Sequence, residues 1–174
     1  LTIIDKLLTK GYAIIAYDIR QHGESDKDSG TMSDLFNNPN RAPKDLKAVI
    51  KFLQNDSRID EKRIGIIGAS IGANLACMAS ENANIKSVVV MSAKTLAAEN
   101  LSGKTVAIMP KNAFYIASEK EQNGMRKKWA KELYDRTLGE KRIKITTGSK
   151  HGSFILRDFI DIEDNIVDWF TKTL

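Results

Sequence analysis

The sequence contains few of the residues that bind metals or form disulfide bonds. Cys77 is the single cysteine, and His22 and His151 are the two histidines among 174 residues. One cysteine excludes an intramolecular disulfide and a zinc site built from several thiolates. The histidines lie far apart and form neither an HxH nor an HExxH pattern. We therefore expect no metal site and no cofactor.

Long apolar runs and a charged block are also missing. No apolar run approaches the ~18 residues that a membrane-spanning helix requires, so no membrane span is expected. The net charge is +5, but basic and acidic residues are interleaved, and the densest basic run is Arg126–Lys128. A solvated helix face explains such a short run. Zinc-finger, basic-zipper and aromatic-basic patterns are missing too, and we expect no nucleic-acid partner.

The sequence begins with Leu1 rather than methionine and shows helical periodicity at once. We expect the natural protein to have residues upstream of Leu1, where any targeting peptide would lie. The cellular compartment is therefore not identified, with a cytoplasmic location as the default expectation. The oligomeric state is not predicted either.

Apolar periodicity divides the chain into alternating helices and strands. Helices are predicted at Leu1–Lys10, Pro43–Leu53, Ile71–Ala83, Gly124–Leu138 and Arg157–Leu174. Strands are predicted at Tyr12–Tyr17, Ile64–Ile67, Ser87–Met91, Ala113–Ala117 and Arg142–Thr146, with Thr105–Met109 as a further candidate. This alternation predicts an α/β fold in which a mostly parallel sheet carries helices on both faces, as one domain over residues 1–174.

A serine lies where a predicted strand turns into a predicted helix. The stretch Gly68-Ala69-Ser70-Ile71-Gly72 follows the strand and opens the helix. A sharp turn of this kind can hold a hydroxyl exposed, and the helix N-terminus favours negative charge beside it. Gly68 and Gly72 are expected to prevent clashes with the adjoining strand and helix. The pattern is that of a G-x-S-x-G nucleophile elbow, with Ser70 as the nucleophile.

Two other interpretations of this turn remain. Ser70 can simply cap the helix at a closely packed strand-to-helix turn. A dinucleotide-binding loop would require glycine at position 70 and an acid after the next strand. Serine occupies that position, and the next strand runs into Ser92-Ala93, so dinucleotide binding is disfavoured.

A nucleophilic serine needs a base and an acid that orients it. His151 is the one histidine after Ser70, and it follows a predicted strand in a loop rich in glycine and serine. The acid should follow the intervening strand, where Glu119 and Glu121 are both present. From spacing alone, either carboxylate can serve, and either can be a solvated surface charge.

Four segments carry a family resemblance. GYAIIAYDIRQHGES (Gly11–Ser25), GASIGA, IASEKEQ and SKHGSFIL resemble motifs of the α/β-hydrolases. The first differs from the usual G-Y-x-V-x-x-D-x-R-G-H-G-x-S by having Gln21 in place of a glycine. Within the third, the usual G-x-x-D pattern places Glu121 at the aspartate position, so the resemblance favours Glu121 over Glu119. It also implies that Asp18, Arg20, His22 and Gly23 are structural loop residues near the site.

The resemblance also implies an incomplete sheet and an incomplete oxyanion hole. Family members usually have about eight strands, and one strand expected upstream of Leu1 would lie between Tyr12–Tyr17 and Ile64–Ile67. The backbone N–H of Ile71 supplies one oxyanion donor, and the second is expected upstream of Leu1. Only about twenty residues separate Ser92 from Ala113, too few for a lid domain.

The function implied is that of a lidless serine esterase, similar to the small esterase and dienelactone-hydrolase-like group. Ser70, His151 and Glu121 would cleave a small-molecule carboxylic ester through an acyl-enzyme. One alternative is a non-catalytic relative that binds a ligand or partner. The other is a peptidase, thioesterase or acyltransferase that uses the same triad.

Overall fold

The computed structural model of the protein describes residues 2–174. The helices are α1 (Ile3–Thr9), α2 (Asp34–Asn37), α3 (Ala42–Gln54), α4 (Ile71–Ala79), α5 (Thr95–Ser102), α6 (Met125–Arg136), α7 (Phe154–Asp158) and α8 (Ile160–Thr173). The strands are β1 (Ile64–Ala69), β2 (Ile85–Met91), β3 (Lys111–Ser118) and β4 (Leu138–Thr146). The predicted helix at Leu1–Lys10 is present from Ile3, and Leu1 lies outside the described residues.

The four strands form one sheet in the order β1-β2-β3-β4, and every neighbouring pair is parallel. The central strands β2 and β3 are apolar and buried along most of their length. Such near-continuous apolar strands are typical of a parallel sheet covered on both faces. The predicted three-layer α/β architecture is therefore confirmed.

Successive side chains of the central strands enter two separate cores, one on each face of the sheet. Val88 and Val90 belong to the core formed with α3, α4, α5 and α6. Val89 and Met91 belong to the core formed with α1, α7 and α8. This alternation follows from the two-residue repeat of a strand, and it fixes which helices cover which face. Cys77 is fully buried in the first core, and burial raises its thiol pKa to about 12, so it is not a reactive thiol.

Several predicted elements differ in the structure. The C-terminal helix predicted at Arg157–Leu174 is two helices, α7 and α8, that meet at Phe159, whose φ of −133° and ψ of 82° are not helical. Helix α5 was not predicted, and the candidate strand Thr105–Met109 is not a strand. Helix α5 is short and its sequence carries only weak apolar periodicity, so packing against α4 rather than local pattern stabilises it.

The predicted strand Tyr12–Tyr17 is wrong, because these residues belong to no strand. A strand requires a neighbour for its backbone groups, and among the described residues β1 pairs with β2 alone. A cavity of about 500 Å³ separates the segment from the free edge of β1. We call this space the strand slot; Ile14, Ile15 and Ile67 line it and are more than a third exposed. The sheet is thus gapped where the resemblance implies a further strand.

Candidate active site

Ser70 connects the carboxyl end of β1 to the first turn of α4. Its backbone has φ 56° and ψ −112°, a region that residues other than glycine rarely occupy. The Ser70 N–H donates to the carbonyl oxygen of Met91 at 3.0 Å, which ties the turn to β2. The surrounding structure therefore holds a strained serine at the edge of the sheet where α/β proteins form their sites.

The two glycines of the elbow have different roles. A Cβ added at Gly68 would lie 2.0 Å from the carbonyl oxygen of Gly72, so only glycine fits at position 68. A Cβ added at Gly72 would meet nothing within 4 Å. The expectation that Gly72 prevents a clash is therefore wrong. Gly68 alone has no side chain for a steric reason, which is the close approach of the first turn of α4.

The N–H of Ile71 points from the first position of α4. The first N–H groups of a helix have no intrahelical acceptor. Among residues 2–174, no backbone acceptor pairs with this N–H. It is thus free to donate to an oxygen atom beside Ser70, as the oxyanion role expected for Ile71 requires. The second donor, expected upstream of Leu1, falls outside the described residues and stays a prediction.

The structure brings together His151 and Glu121. The Nδ1 atom of His151 lies 2.5 Å from Oε1 of Glu121. The Glu121 side chain is 6% exposed, whereas that of His151 is 42% exposed. A buried carboxylate therefore contacts an imidazole that is exposed to solvent. Glu119, the other candidate acid, contributes its backbone N–H to the carbonyl oxygen of Thr146 at 2.9 Å.

The loop of His151 packs directly on the elbow. A Cβ added at Gly152 would lie 3.4 Å from the Cβ of Ala69 and 3.9 Å from the Cβ of Ser70. No hydrogen bond joins the Ser70 hydroxyl to His151 among the side-chain contacts of residues 2–174. Catalytic hydrogen bonds often tighten only when substrate binds, so the pairing of Ser70 with His151 stays a prediction.

Two further residues contact Glu121, and neither was predicted. The Ser92 hydroxyl donates to Oε2 of Glu121 at 2.7 Å, and the Nε of Arg126 lies 3.4 Å from Oε1. Ser92 follows β2 directly, so its position at the carboxyl end of a strand was readable from the sequence. Arg126 opens the basic run that we interpreted as a solvated helix face. That interpretation is wrong for Arg126, which is buried, while Lys128 is exposed.

The loop that follows residue 17 is held by its own contacts. The Arg20 guanidinium forms hydrogen bonds to both carboxylate oxygens of Asp45. A Cβ at Gly23 would collide with the Asp18 carboxylate. Gln21 has φ 67°, the left-handed conformation that glycine adopts most easily, and it stands where the motif that the segment resembles has glycine. These contacts fit the structural role implied for the loop.

Within residues 2–174, no three or more His, Cys, Asp or Glu side chains are grouped as metal ligands would be. Over the same range, no helix has the length and apolar character needed to cross a bilayer.

The sequence of residues 2–153 matches the family model described as the alpha/beta hydrolase fold. This match covers most of the chain, and the chain therefore belongs to the α/β-hydrolase fold family. It is also 36% identical over 93 residues to the uncharacterized protein YcjY of Escherichia coli strain K12. That match spans 53% of this chain and 29% of YcjY, so this chain matches under a third of that relative's length.

Solved structures share the fold at low sequence identity. The esterase Pf2001 of Pyrococcus furiosus superposes with a TM-score of 0.74 at 22% identity, over 98% of this chain and 75% of that chain. The dienelactone hydrolase of Anabaena variabilis gives 0.63 at 16% identity, over 79% and 62%. XC6422 of Xanthomonas campestris, described as an α/β serine hydrolase without lid, gives 0.63 at 14% identity, over 89% and 64%. At these identities the likeness establishes the fold.

Proposed function

We propose that the protein is a serine hydrolase that cleaves small-molecule carboxylic esters through Ser70, His151 and Glu121. The observation that carries this proposal is the buried Glu121 carboxylate, which lies 2.5 Å from Nδ1 of His151. The loop that carries His151 packs on the strained turn of Ser70. Nucleophile, base and orienting acid thus occupy the carboxyl ends of three parallel strands, β1, β4 and β3.

The proposed reaction has two steps, acylation of Ser70 and hydrolysis of the acyl-enzyme, and each passes through a tetrahedral intermediate. The Ser70 Oγ attacks the ester carbonyl carbon while Nε2 of His151 takes its proton. Glu121 accepts the Nδ1–H of His151 and so stabilises the imidazolium that forms. The N–H of Ile71 donates to the oxyanion. The intermediate expels the alcohol, which receives the proton from Nε2, and water then releases the acyl group by the same route.

Several observations support an ester substrate and an open site. Pf2001 is described as an esterase and XC6422 as a serine hydrolase without lid. Between β2 and β3 the chain has only α5 and short connections. We infer that this chain is likewise a single domain without a lid, so a small substrate reaches Ser70 directly. A lidless site does not by itself select the acyl or alcohol group.

The experiment is labelling with a fluorophosphonate, which reacts with activated serines. We expect the probe on Ser70 of the unaltered chain and no label on Ser70→Ala. Ser149→Ala, which removes an exposed hydroxyl from the loop of His151, is the matched control and should label normally. Label that persists on Ser70→Ala would overturn the assignment of the nucleophile.

The labelling result, followed by a substrate panel, distinguishes the alternative functions. A folded protein that takes no label is better explained as a non-catalytic member that binds a ligand or partner. A labelled protein is then offered a panel of esters, thioesters and peptides. Turnover of thioesters or peptides in preference to esters would replace the esterase proposal with a different acyl-transfer reaction on the same triad.

A further inference from the structure

The Glu121 carboxylate is held by groups from three other segments of the chain. Oε1 accepts from His151, and Oε2 accepts from the Ser92 hydroxyl at 2.7 Å. The same Ser92 oxygen accepts the backbone N–H of Gly152 at 2.9 Å. Ser92 therefore ties the acid to the segment that carries the imidazole, and both groups are fixed by one buried hydroxyl.

Arg126 brings a buried positive charge to the same carboxylate. Its Nε lies 3.4 Å from Oε1 of Glu121, and its Nη1 donates to the carbonyl oxygen of Ser92 at 2.7 Å. The guanidinium carbon lies 5.4 Å from the centroid of the Trp129 ring, which covers it. Burial lowers the pKa of Arg126, and the Glu121 carboxylate opposes that effect. An arginine keeps its proton under such conditions, so the charge is permanent.

One oxygen atom, Oε1 of Glu121, thus lies between two nitrogen groups. The Nδ1 of His151 contacts it at 2.5 Å and the Nε of Arg126 at 3.4 Å. The Nε of Arg126 has no acceptor with hydrogen-bond geometry among residues 2–174, so the Arg126 contact is an ion pair. A buried positive charge thus lies beside the acid.

We propose that Ser92 and Arg126 are positioning residues for the proposed triad: Ser92 fixes the carboxylate of Glu121, and Arg126 balances its charge. This inference rests on the proposed function. In the resting site the carboxylate and the guanidinium form a neutral pair, and protonation of His151 adds a net positive charge. Arg126 therefore partly offsets the attraction between the Glu121 carboxylate and an imidazolium at His151.

The sign of the effect follows from the charges. Removing Arg126 leaves the Glu121 carboxylate unbalanced, so an imidazolium at His151 becomes more favourable. The midpoint of His151 protonation should then move to higher pH.

Other charged groups around the site remain in the variants. Lys150 precedes the imidazole and pairs with Asp158 of α7 at 3.3 Å. Lys94, next to α5, lies 5.7 Å from the centroid of the Trp129 ring. Glu119 and Lys120 belong to the loop of the acid and bond to the β4 end through their backbone N–H groups. Because none of these is altered, the difference between variants reports the Arg126 charge.

The experiment follows the imidazole resonances by NMR as a function of pH, alongside the pH dependence of fluorophosphonate labelling. His151 and His22 are the two histidines of the chain, so His22 serves as an internal reference. We expect Arg126→Met to raise the His151 midpoint and the acid limb of the labelling profile together. Arg126→Lys keeps the charge and should restore both values towards those of the unaltered chain.

Two further variants separate charge from packing. Arg136→Met removes a positive charge from the same helix, where it pairs with Glu99 at the surface, and should leave the midpoint in place. Ser92→Ala removes hydrogen bonds without removing charge, so it should lower kcat while the midpoint stays. If Arg126→Met does not fold, Arg126→Gln is equally neutral and keeps a donor for the Ser92 carbonyl.

The outcomes distinguish this inference from the proposed function. An unchanged His151 midpoint in folded Arg126→Met, or an equal shift in Arg136→Met, would overturn the role of Arg126. A Ser92→Ala protein with unaltered kcat would overturn the role of Ser92. If the unaltered chain takes no label while the NMR midpoint still moves, the ester-cleaving function fails and the charge relation among Arg126, Glu121 and His151 stands.

Discussion

Glu121 and Glu119 lie two residues apart but occupy different environments. The Glu121 carboxylate is buried and contacts a histidine, a serine hydroxyl and an arginine. The Glu119 side chain is partly exposed and borders the surface near α6. A carboxylate that orients an imidazole must be held in one position, which burial and several partners achieve. The difference between the two acids gives a direct test.

Replacing each acid by its amide should have unequal effects on catalysis. Glu121→Gln removes the charge that stabilises the imidazolium and leaves Arg126 without its counter-ion. Loss of the acid in such a triad costs about 10⁴ in kcat, so Glu121→Gln should be nearly inactive. Glu119→Gln is the matched control and should change kcat little. A loss of kcat confined to Glu119→Gln would show that Glu119, and not Glu121, orients the imidazole.

The candidate site was partly predictable from the residues themselves. Ser70 and His151 could be named because each follows a predicted strand in a recognisable local pattern. The selection of Glu121 relied on family resemblance, since spacing alone left both acids open. Arg126 could not be identified, because a basic run on a helix looks the same whether one member is buried or all are solvated. Burial depends on how α6 packs on the sheet, which local sequence does not encode.

The turn between β1 and α4 shows how two elements constrain one position. Gly68 lies against the backbone of Gly72, so the strand and the first helical turn approach more closely than a side chain at position 68 would allow. Ser70, which lies between the two glycines, has a positive φ and is therefore conformationally strained. Gly72 has no such constraint.

Substitution of alanine at the two glycines should therefore have opposite effects on stability. Gly68→Ala forces the backbone of α4 outward and should lower the free energy of unfolding by about 1–3 kcal/mol. Gly72→Ala places a methyl group in open space on a helix and should raise it by about 0.5–1 kcal/mol. Urea unfolding measures both. Equal destabilisation by the two changes would mean that the close contact at Gly68 has been misidentified.

Elements were predictable where local pattern and tertiary context agree. The four strands β1–β4 and the amphipathic helices α3 and α8 carry apolar residues at the spacing that their burial demands. The segment at residues 12–17 has the same apolar pattern but no neighbouring strand among the described residues. The strand predicted there from the apolar pattern is therefore wrong. Hydrogen-bond partners come from distant sequence, which a local pattern does not supply.

Among the described residues, β1 is an edge strand of the sheet and borders the strand slot. Residues 11–15 and the β1 residues Ile64, Gly65 and Ile67 line the strand slot. This chain covers three quarters of Pf2001, which shares its fold. A strand in the slot would pair with backbone groups of β1 and cover apolar side chains that now face solvent.

Adding in front of Leu1 a segment that places a strand in the strand slot should therefore improve both stability and catalysis. The added strand should raise the midpoint of thermal unfolding and slow hydrogen exchange at residues 13–17. A second oxyanion donor is worth about 10² to 10³ in kcat, so turnover of an activated ester should rise by a similar factor. Equal kcat/KM and equal thermal stability of the two chains would contradict both expectations.

The strand slot also affects how copies of the molecule behave towards each other in solution. A free strand edge flanked by Ile14, Ile15 and Ile67 is a template for edge-to-edge association. The net charge of +5 keeps copies apart by mutual repulsion. Salt weakens that repulsion, since at 0.1 M it acts over only about 10 Å, while leaving the apolar edge equally adhesive. Colloidal stability of this chain should accordingly be greatest in dilute buffer, and salt should favour its aggregation.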